Sequence, residues 1–333
     1  MAKIPLVTVG LSSHRLEVLP EARREMENHE AIILEEAPEP DFPAMLAGKL
    51  DIDEYLADKD PEFPEFSRNQ LAMLRELSRQ GKRVFQVEPY LERLIRIHEL
   101  LAQGLTRPEV ERRPGLKTVY DAEAQASRAL LTFYTCAYSA PFPKVVEAVE
   151  NFARADAARF RLRDELRARE IAALSNSFSR LYTEAGYIHL FLVSRLRRFL
   201  AGKARLRPVF LLASASRQIL GRPRPLGPGD TLTLGNIFQV PLSREKAELL
   251  AARSLIYIKL LNKEELIPSG ARPTPHLEDE IRACRLAATL SYQDCAVLYP
   301  EIRRLPPSAA VRTVSRYLAA KTGKAFEEPP APV

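Results

Sequence analysis

The sequence predicts an α/β fold, a mostly parallel sheet with crossover helices, with a mainly helical C-terminal extension. Two observations carry that expectation. Between residue 4 and about residue 88, apolar β-rich runs alternate with amphipathic stretches in strand, helix, strand, helix, strand order, the pattern of parallel strands joined by crossovers. Each of those runs also ends in polar residues, where open α/β sheets gather their functional groups.

The first run covers residues 4–9 and ends at Gly10, and the stretch from Val18 to His29 reads as helix. Ala31 to Leu34 is a second apolar run leading directly into Glu35 and Glu36, after which Pro38 and Pro40 stop regular structure. Residues 41–66 concentrate prolines and acids, which predicts an insertion or lid built of short helices. Between Ser67 and Gln80, Leu71, Leu74 and Leu77 share a helical face, and Gly81 is a good C-terminal stop. Arg83 to Val87 is a third strand, followed by Glu88 and Pro89. Helices are expected at Leu91–Gln103, Asp121–Cys136 and Pro143 to about Arg180. A short apolar run at Tyr182–Ile188 carries His189, with a helix to Leu200 and a strand at Pro208–Ala213 beyond it.

Alternating proline and glycine from Gly221 to Gly229 place a boundary there, so the α/β domain is expected to span residues 1–220 and a mainly helical region residues 221–325. In the latter, Thr231–Leu234 has strand character, and helices are expected at Ser243–Leu261, Leu277–Ala296 and Ala309–Thr322. The proline-rich tail, 326–333, has the composition of a disordered segment.

Composition narrows the function classes. Of 333 residues, 46% are hydrophobic and 28% charged, an ordinary globular balance. No apolar run reaches the ~18 residues of a membrane span. The N-terminus lacks a signal peptide's apolar stretch, and three unpaired cysteines (Cys136, Cys284, Cys295) fit a reducing, cytoplasmic home. A net charge of +6 brings nucleic acid into view through the arginines of 154–169 and 195–207. Arginine and lysine are spread along the chain through helices that also carry glutamates, there is no tryptophan, and no zinc-finger or RNA-recognition signature is present, so nucleic acid is not the expected partner. A phosphate-cradling P-loop, the Rossmann glycine pattern and a Gly-x-Ser-x-Gly elbow are all missing from the sequence. A small-molecule or peptide substrate is expected, with no membrane partner, and homo-oligomerisation stays open.

The chemistry-bearing candidates cluster at the ends of the apolar runs. His14 follows Gly10-Leu-Ser-Ser, and His189 follows Gly186-Tyr-Ile. Imidazole titrates near neutrality and is the commonest metal ligand, so two histidines in matched settings point to acid–base or metal chemistry; helix capping is the competing role. Glu35 and Glu36 must point to opposite sides, given the twofold period of a strand. The inward one is a base, a ligand or an arginine's partner, because a buried carboxylate without a partner is costly. Glu88 repeats the situation. Arg163, Arg167 and Glu170 share one helix face by their spacing, where a guanidinium could hold a carboxylate or a developing oxyanion; an ion-paired solvent face is the alternative. His276, among the acids Glu278, Asp279 and Glu280, looks like a helix start, and His29 and His98 look structural.

In this order the pieces resemble the superfamily of TraB/PrgY-like, ChaN-like and erythromycin-esterase-like proteins, which includes the Wnt-inactivating TIKI proteases. The resemblance covers about residues 4–215. It rests on Gly10-Leu-Ser-Ser-His14 as a loosened Gly-x-x-His, on Ile33-Leu-Glu35-Glu36 ending a second strand, on Arg167-Ala-Arg-Glu-Ile171-Ala172 in a helix, and on Gly186-Tyr-Ile-His189. The additional residue between Gly10 and His14 departs from the family pattern. The resemblance implies two histidines and acids converging at one place, in proteins of which some are hydrolases, some use a divalent metal, and others bind haem or regulate.

The leading expectation is therefore a hydrolase-like enzyme in which His14, Glu35 or Glu36, and His189 activate water. They would do so as general bases or, for His14, Glu35 and His189, as ligands of a divalent ion such as Mn²⁺, Co²⁺ or Zn²⁺. Arg167, supported by Arg163, would stabilise negative charge. The alternative is a non-catalytic protein that uses the same place to bind a small ligand or a haem-like group.

Overall fold

The computed structural model describes residues 4–324. The proline-rich tail, expected to be disordered, lies outside the described residues. The chain forms β1 (Leu6–Ser12), α1 (Leu19–Glu27), β2 (Ala31–Leu34), α2 (Phe42–Leu46), α3 (Ile52–Leu56), α4 (Pro64–Arg79) and β3 (Arg83–Gln86). Next come α5 (Pro89–Ala102), α6 (Arg107–Glu111), α7 (Leu116–Ser139), α8 (Phe142–Leu174), β4 (Arg180–Gly186), α9 (Leu190–Phe199) and β5 (Arg205–Phe210). The remainder is helical: α10 (Ala213–Leu220), α11 (Pro228–Ile237), α12 (Arg244–Leu260), α13 (Pro275–Thr289), α14 (Tyr292–Ile302) and α15 (Pro307–Thr322).

The fold is α/β, with a five-stranded sheet in the order β3-β2-β4-β1-β5. Every neighbouring pair is parallel, from Leu6 opposite Arg180 to Ser12 opposite Gly186 between β1 and β4, and from Ala31 opposite Arg83 between β2 and β3. Parallel strands need covering on both faces, which explains why β1 and β2 are buried along nearly their whole length. On one face Val7, Val9, Leu11, Ala31, Ile33, Leu181 and Ala185 pack with Ala168 and Ile171 of α8 and Leu192 and Leu196 of α9. On the other face the close approach of Tyr182 dictates Gly10: a Cβ there would stand 2.0 Å from the tyrosine Oη. Pro208 is tolerated in β5 because that strand lies at the sheet's edge.

The chain divides into two compact units. One holds the residues up to Ala124 together with Arg159–Ser214; the other holds Gln125–Ala158 and the residues from Ala215 onward. The expected boundary near residue 220 falls close to the second division, whereas residues 125–158 join the helical unit, which a linear reading of composition does not show. The helical unit's core is built around α12, whose Leu255, Ile256 and Leu260 pack with Leu286, Leu298, Ile302 and Val314.

Two expectations for this unit are corrected. Thr231–Leu234 is not a strand but lies within α11, because Pro228 opens a helix there and Asp230 accepts a hydrogen bond from Gly227 N at 3.2 Å. The expected helix at Leu277–Ala296 is two, since Ser291 and Asp294 form a reciprocal capping box that starts α14. Among the described residues no helix is long and apolar enough to cross a membrane.

Candidate functional site

The carboxyl ends of β2, β3 and β4, with the facing stretch of α8, gather buried charged residues of the first unit, among them Glu88, Asp164, Arg167 and Glu184. Glu35 and Glu36 leave β2 on opposite sides. Glu35 turns toward α8 and accepts from every direction: His189 Nε2 at 2.7 Å and Arg163 Nη2 at 3.0 Å on Oε1, and Gly186 N at 2.7 Å on Oε2. Arg167 Nη1 stands 3.6 Å from the same Oε2. Burial alone would raise this carboxyl, but the positive charges of His189, Arg167 and Arg163 hold it well below the usual carboxylate range. Glu36 turns to the other side and accepts from Gln86 Nε2 at 2.8 Å, and its burial raises its pKa.

Glu88, fully buried at the end of β3, pairs with Arg163 at 3.0 Å and Arg167 at 3.8 Å. Burial raises it despite both guanidinium groups. Arg167 is itself completely buried and works as a fastener. Its Nε donates to Val87 O at 3.0 Å and its Nη2 to Glu184 O at 2.7 Å, joining the ends of two strands that are not neighbours in the sheet.

His189 stands at the N-cap position of α9 without a side-chain capping bond, and both its ring nitrogens are engaged by acids. Nε2 meets Glu35, and Nδ1 meets Asp164, whose second oxygen accepts from Leu192 N at 2.8 Å. Phe160 lies edge-on to the ring at 5.2 Å. Burial disfavours the charged ring, yet the two carboxylates outweigh it and raise the histidine to about 9. His189 is thus an imidazolium at neutral pH, with no lone pair left to take a proton.

His14 is different. Its backbone adopts φ 53, a left-handed conformation that costs a non-glycine residue free energy, and its N–H donates to Ser12 Oγ at 3.3 Å. The ring's Nε2 is buried without a hydrogen-bond partner, 3.5 Å from Glu184 Oε1, although about a third of the side chain (34%) is exposed. Burial lowers its pKa, so the ring is neutral near pH 7. The two histidines do converge: a Cβ built on Gly186 would sit 3.5 Å from His189 Cδ2 and 3.9 Å from both His14 Cε1 and Glu35 Oε2.

Seven of the expected residues (His14, Glu35, Glu36, Glu88, Arg163, Arg167 and His189) are therefore gathered at one edge of the sheet. Glu170 is not. It shares the helix stripe of Arg163 but lies two turns further on, about 10 Å along the axis, and it is exposed. Elsewhere His276 Nε2 accepts from Leu266 N at 2.8 Å and ties down a loop of the helical unit. His29 is buried between Thr8 Oγ1 and Glu25 O, in keeping with a structural role, and His98 is exposed on α5.

Three residues join the cluster that pattern reading passed over: Asp164, Glu184 and Gln70. Glu184 is the one carboxylate inside the buried central strand β4, and its Oε2 accepts from Gln70 Nε2 of α4 at 2.7 Å. Burial, with the charge of Glu35, raises it to about 7. An acid set among Leu181, Tyr182 and Ala185 is a signal the sequence does contain. Asp164 is hidden by its neighbours, one acid in a helix dense with both charges. The 41–66 segment does contain short helices, α2 and α3, and Arg75 fastens it by donating to Met45 O at 3.0 Å and Leu50 O at 2.7 Å. Beyond them Arg15 stacks on Phe63 at 3.4 Å, and Phe66 lies 6.1 Å from the His14 ring.

The trio His14, Glu35 and His189 does not fit a divalent ion. Both nitrogens of His189 and both oxygens of Glu35 are committed to protein partners, and two guanidinium groups stand where a cation would approach. No group of three or more His, Cys, Asp or Glu among the described residues could hold a metal ion.

Comparison with known proteins places the chain in a family without assigning it a chemistry. Over 292 residues, 87% of this chain and 97% of the other, it is 30% identical to a protein of Archaeoglobus fulgidus described as an uncharacterized protein, and the chain belongs to the same family as that protein. No family profile matches the chain, and no solved structure matches it.

Proposed function

Starting from that family membership, we propose that the chain is a hydrolase-type enzyme acting on an ester or peptide carbonyl. His14 serves as general base, and the cluster of Arg163, Arg167 and His189 supplies positive field. One observation carries this reading: His14 is the histidine of the cluster that is partly exposed, whereas His189 has both ring nitrogens taken by acids. A neutral imidazole of lowered pKa can take a proton from water, which then attacks the carbonyl carbon. Negative charge developing on the carbonyl oxygen is met by fixed positive groups in a buried setting, where they act most strongly. Arg163, about a fifth exposed (22%), is the member of that cluster closest to solvent. Glu35 holds those cations in place, with both of its oxygens already accepting from protein donors. The resemblance to TraB-, ChaN- and erythromycin-esterase-like proteins supports the same class of chemistry.

Purified protein assayed on ester, peptide and phosphoester panels, with and without Mn²⁺, Co²⁺ or Zn²⁺, tests this. Turnover of at least one carbonyl substrate is expected without added metal. Loss of about 10²- to 10⁴-fold in the His14→Ala variant is expected, the range typical for a general base. A His14→Ala/His189→Ala double variant as active as wild type would remove the proposal, and a Soret band in fresh protein would favour a haem binder instead.

A further inference from the structure

We infer that Glu184 is a positioning residue for His14: its Oε1 receives the hydrogen on His14 Nε2 and thereby presents Nδ1 as the nitrogen that takes the proton of water. This rests on the general-base reading above. It adds a residue that lies outside every motif carrying the family resemblance.

The geometry is specific. Glu184 is held at both ends, its Oε2 by Gln70 Nε2 at 2.7 Å and its backbone carbonyl by Arg167 Nη2 at 2.7 Å, so Oε1 has little freedom of direction. That oxygen stands 3.5 Å from His14 Nε2. His14 Nε2 is buried with no other hydrogen-bond partner among the described residues, so a hydrogen on it has one acceptor within reach. The backbone that carries the imidazole is in turn held in a left-handed turn, its N–H donating to Ser12 Oγ. A separation of 3.5 Å is long for a formed bond, and such contacts at reactive sites commonly tighten only when substrate binds.

A carboxylate behind an imidazole fixes the tautomer and stabilises the cation that forms. In the balanced step, water gives its proton to Nδ1 while its oxygen forms a bond to the carbonyl carbon, and the C=O π pair moves to oxygen. The imidazolium faces Glu184 through Nε2–H. Collapse of the intermediate breaks the bond to the leaving group, which recovers the proton from Nδ1.

Full-length protein with ¹⁵N-labelled histidine, observed by NMR at pH 8, reports the tautomer without any substrate. Wild type is expected to show His14 as the Nε2–H form. In Glu184→Gln the new amide keeps an oxygen for Gln70 and turns an NH₂ toward Nε2, which must then accept, so the ring should shift to the Nδ1–H form. Turnover of a p-nitrophenyl ester should fall by about 10²- to 10⁴-fold, as when a catalytic imidazole is held in the wrong tautomer. Gln70→Ala touches neither partner's chemistry and should give a partial shift, which keeps the test available if Glu184→Gln folds poorly by circular dichroism. An Nδ1–H form in wild type, or a tautomer unmoved by both variants, overturns the inference. Activity of His14→Ala decides the general-base reading separately, because the tautomer readout is independent of catalysis.

Discussion

His189 shows how much one side chain's role depends on groups that lie far from it in sequence. From its motif it reads as a base or a ligand; with Asp164 on one nitrogen and Glu35 on the other it is a cation at neutral pH. Removing one partner of a buried ionic set leaves uncompensated charge, so His189→Gln is expected to lower stability by about 3–5 kcal/mol in urea unfolding. The pH dependence follows from linkage. The folded ring binds its proton more tightly than the ordinary 6.5, up to about 9. Its stabilisation is complete below pH 6.5 and is lost as pH rises through about 9. Glu184, raised from 4.5 to about 7, has the same sign and loses its contribution between those values. Glu35 has the opposite sign, its contribution lost only in acid. The melting temperature should therefore fall between pH 6.5 and 9, and the fall should shrink in His189→Gln. An equal fall in both proteins would show that His189 is not the titrating group.

At the scale of elements, local signals were most legible where apolar period and stop residues agree. The strand–helix–strand alternation up to Glu88 was readable because each run is bounded by glycine, proline or acid, and the two sides taken by Glu35 and Glu36 follow from strand period alone. Pattern reading failed where a cap overrides it. Thr231 to Leu234 alternates like a strand, but Pro228 and Asp230 start a helix; Leu277 to Ala296 keeps one helical period across a break made by Ser291 and Asp294. The second case is testable. Ser291 Oγ accepts from Asp294 N at 3.2 Å, and Ser291→Ala should destabilise by about 1 kcal/mol, measured by thermal unfolding. No change would mean that the contact between α12 and α14 alone sets the helix boundary.

Across the whole molecule, the net charge of +6 does not describe the site, where positive and negative groups are locally matched. Arg163 and Arg167, in the densest basic stretch, are turned inward onto Glu35 and Glu88. Arg169 and Arg195 share Glu165, and Arg159 pairs with Glu123. What the sequence could not disclose is which distant charges meet, since Glu35 and Arg163 are joined only by folding. The same matching predicts that EDTA, Mn²⁺, Co²⁺ or Zn²⁺ leave the melting temperature of the full chain unchanged within about 1 °C, because a ligand stabilises only by preferring the folded state. A metal-dependent rise of several degrees would show that the guanidinium groups do not occupy a cation's place.

Arg167 reaches across the end of β2 to grasp Val87 and Glu184, with Glu35 beneath its fork. A lysine there would keep the charge and lose the span, since a single ammonium on a flexible stem cannot brace two separated carbonyls as a rigid planar fork does. Reactivity at this edge is thus open to adjustment through Arg163 and His14, while Arg167 behaves as a keystone whose replacement loosens the arch before it alters any reaction.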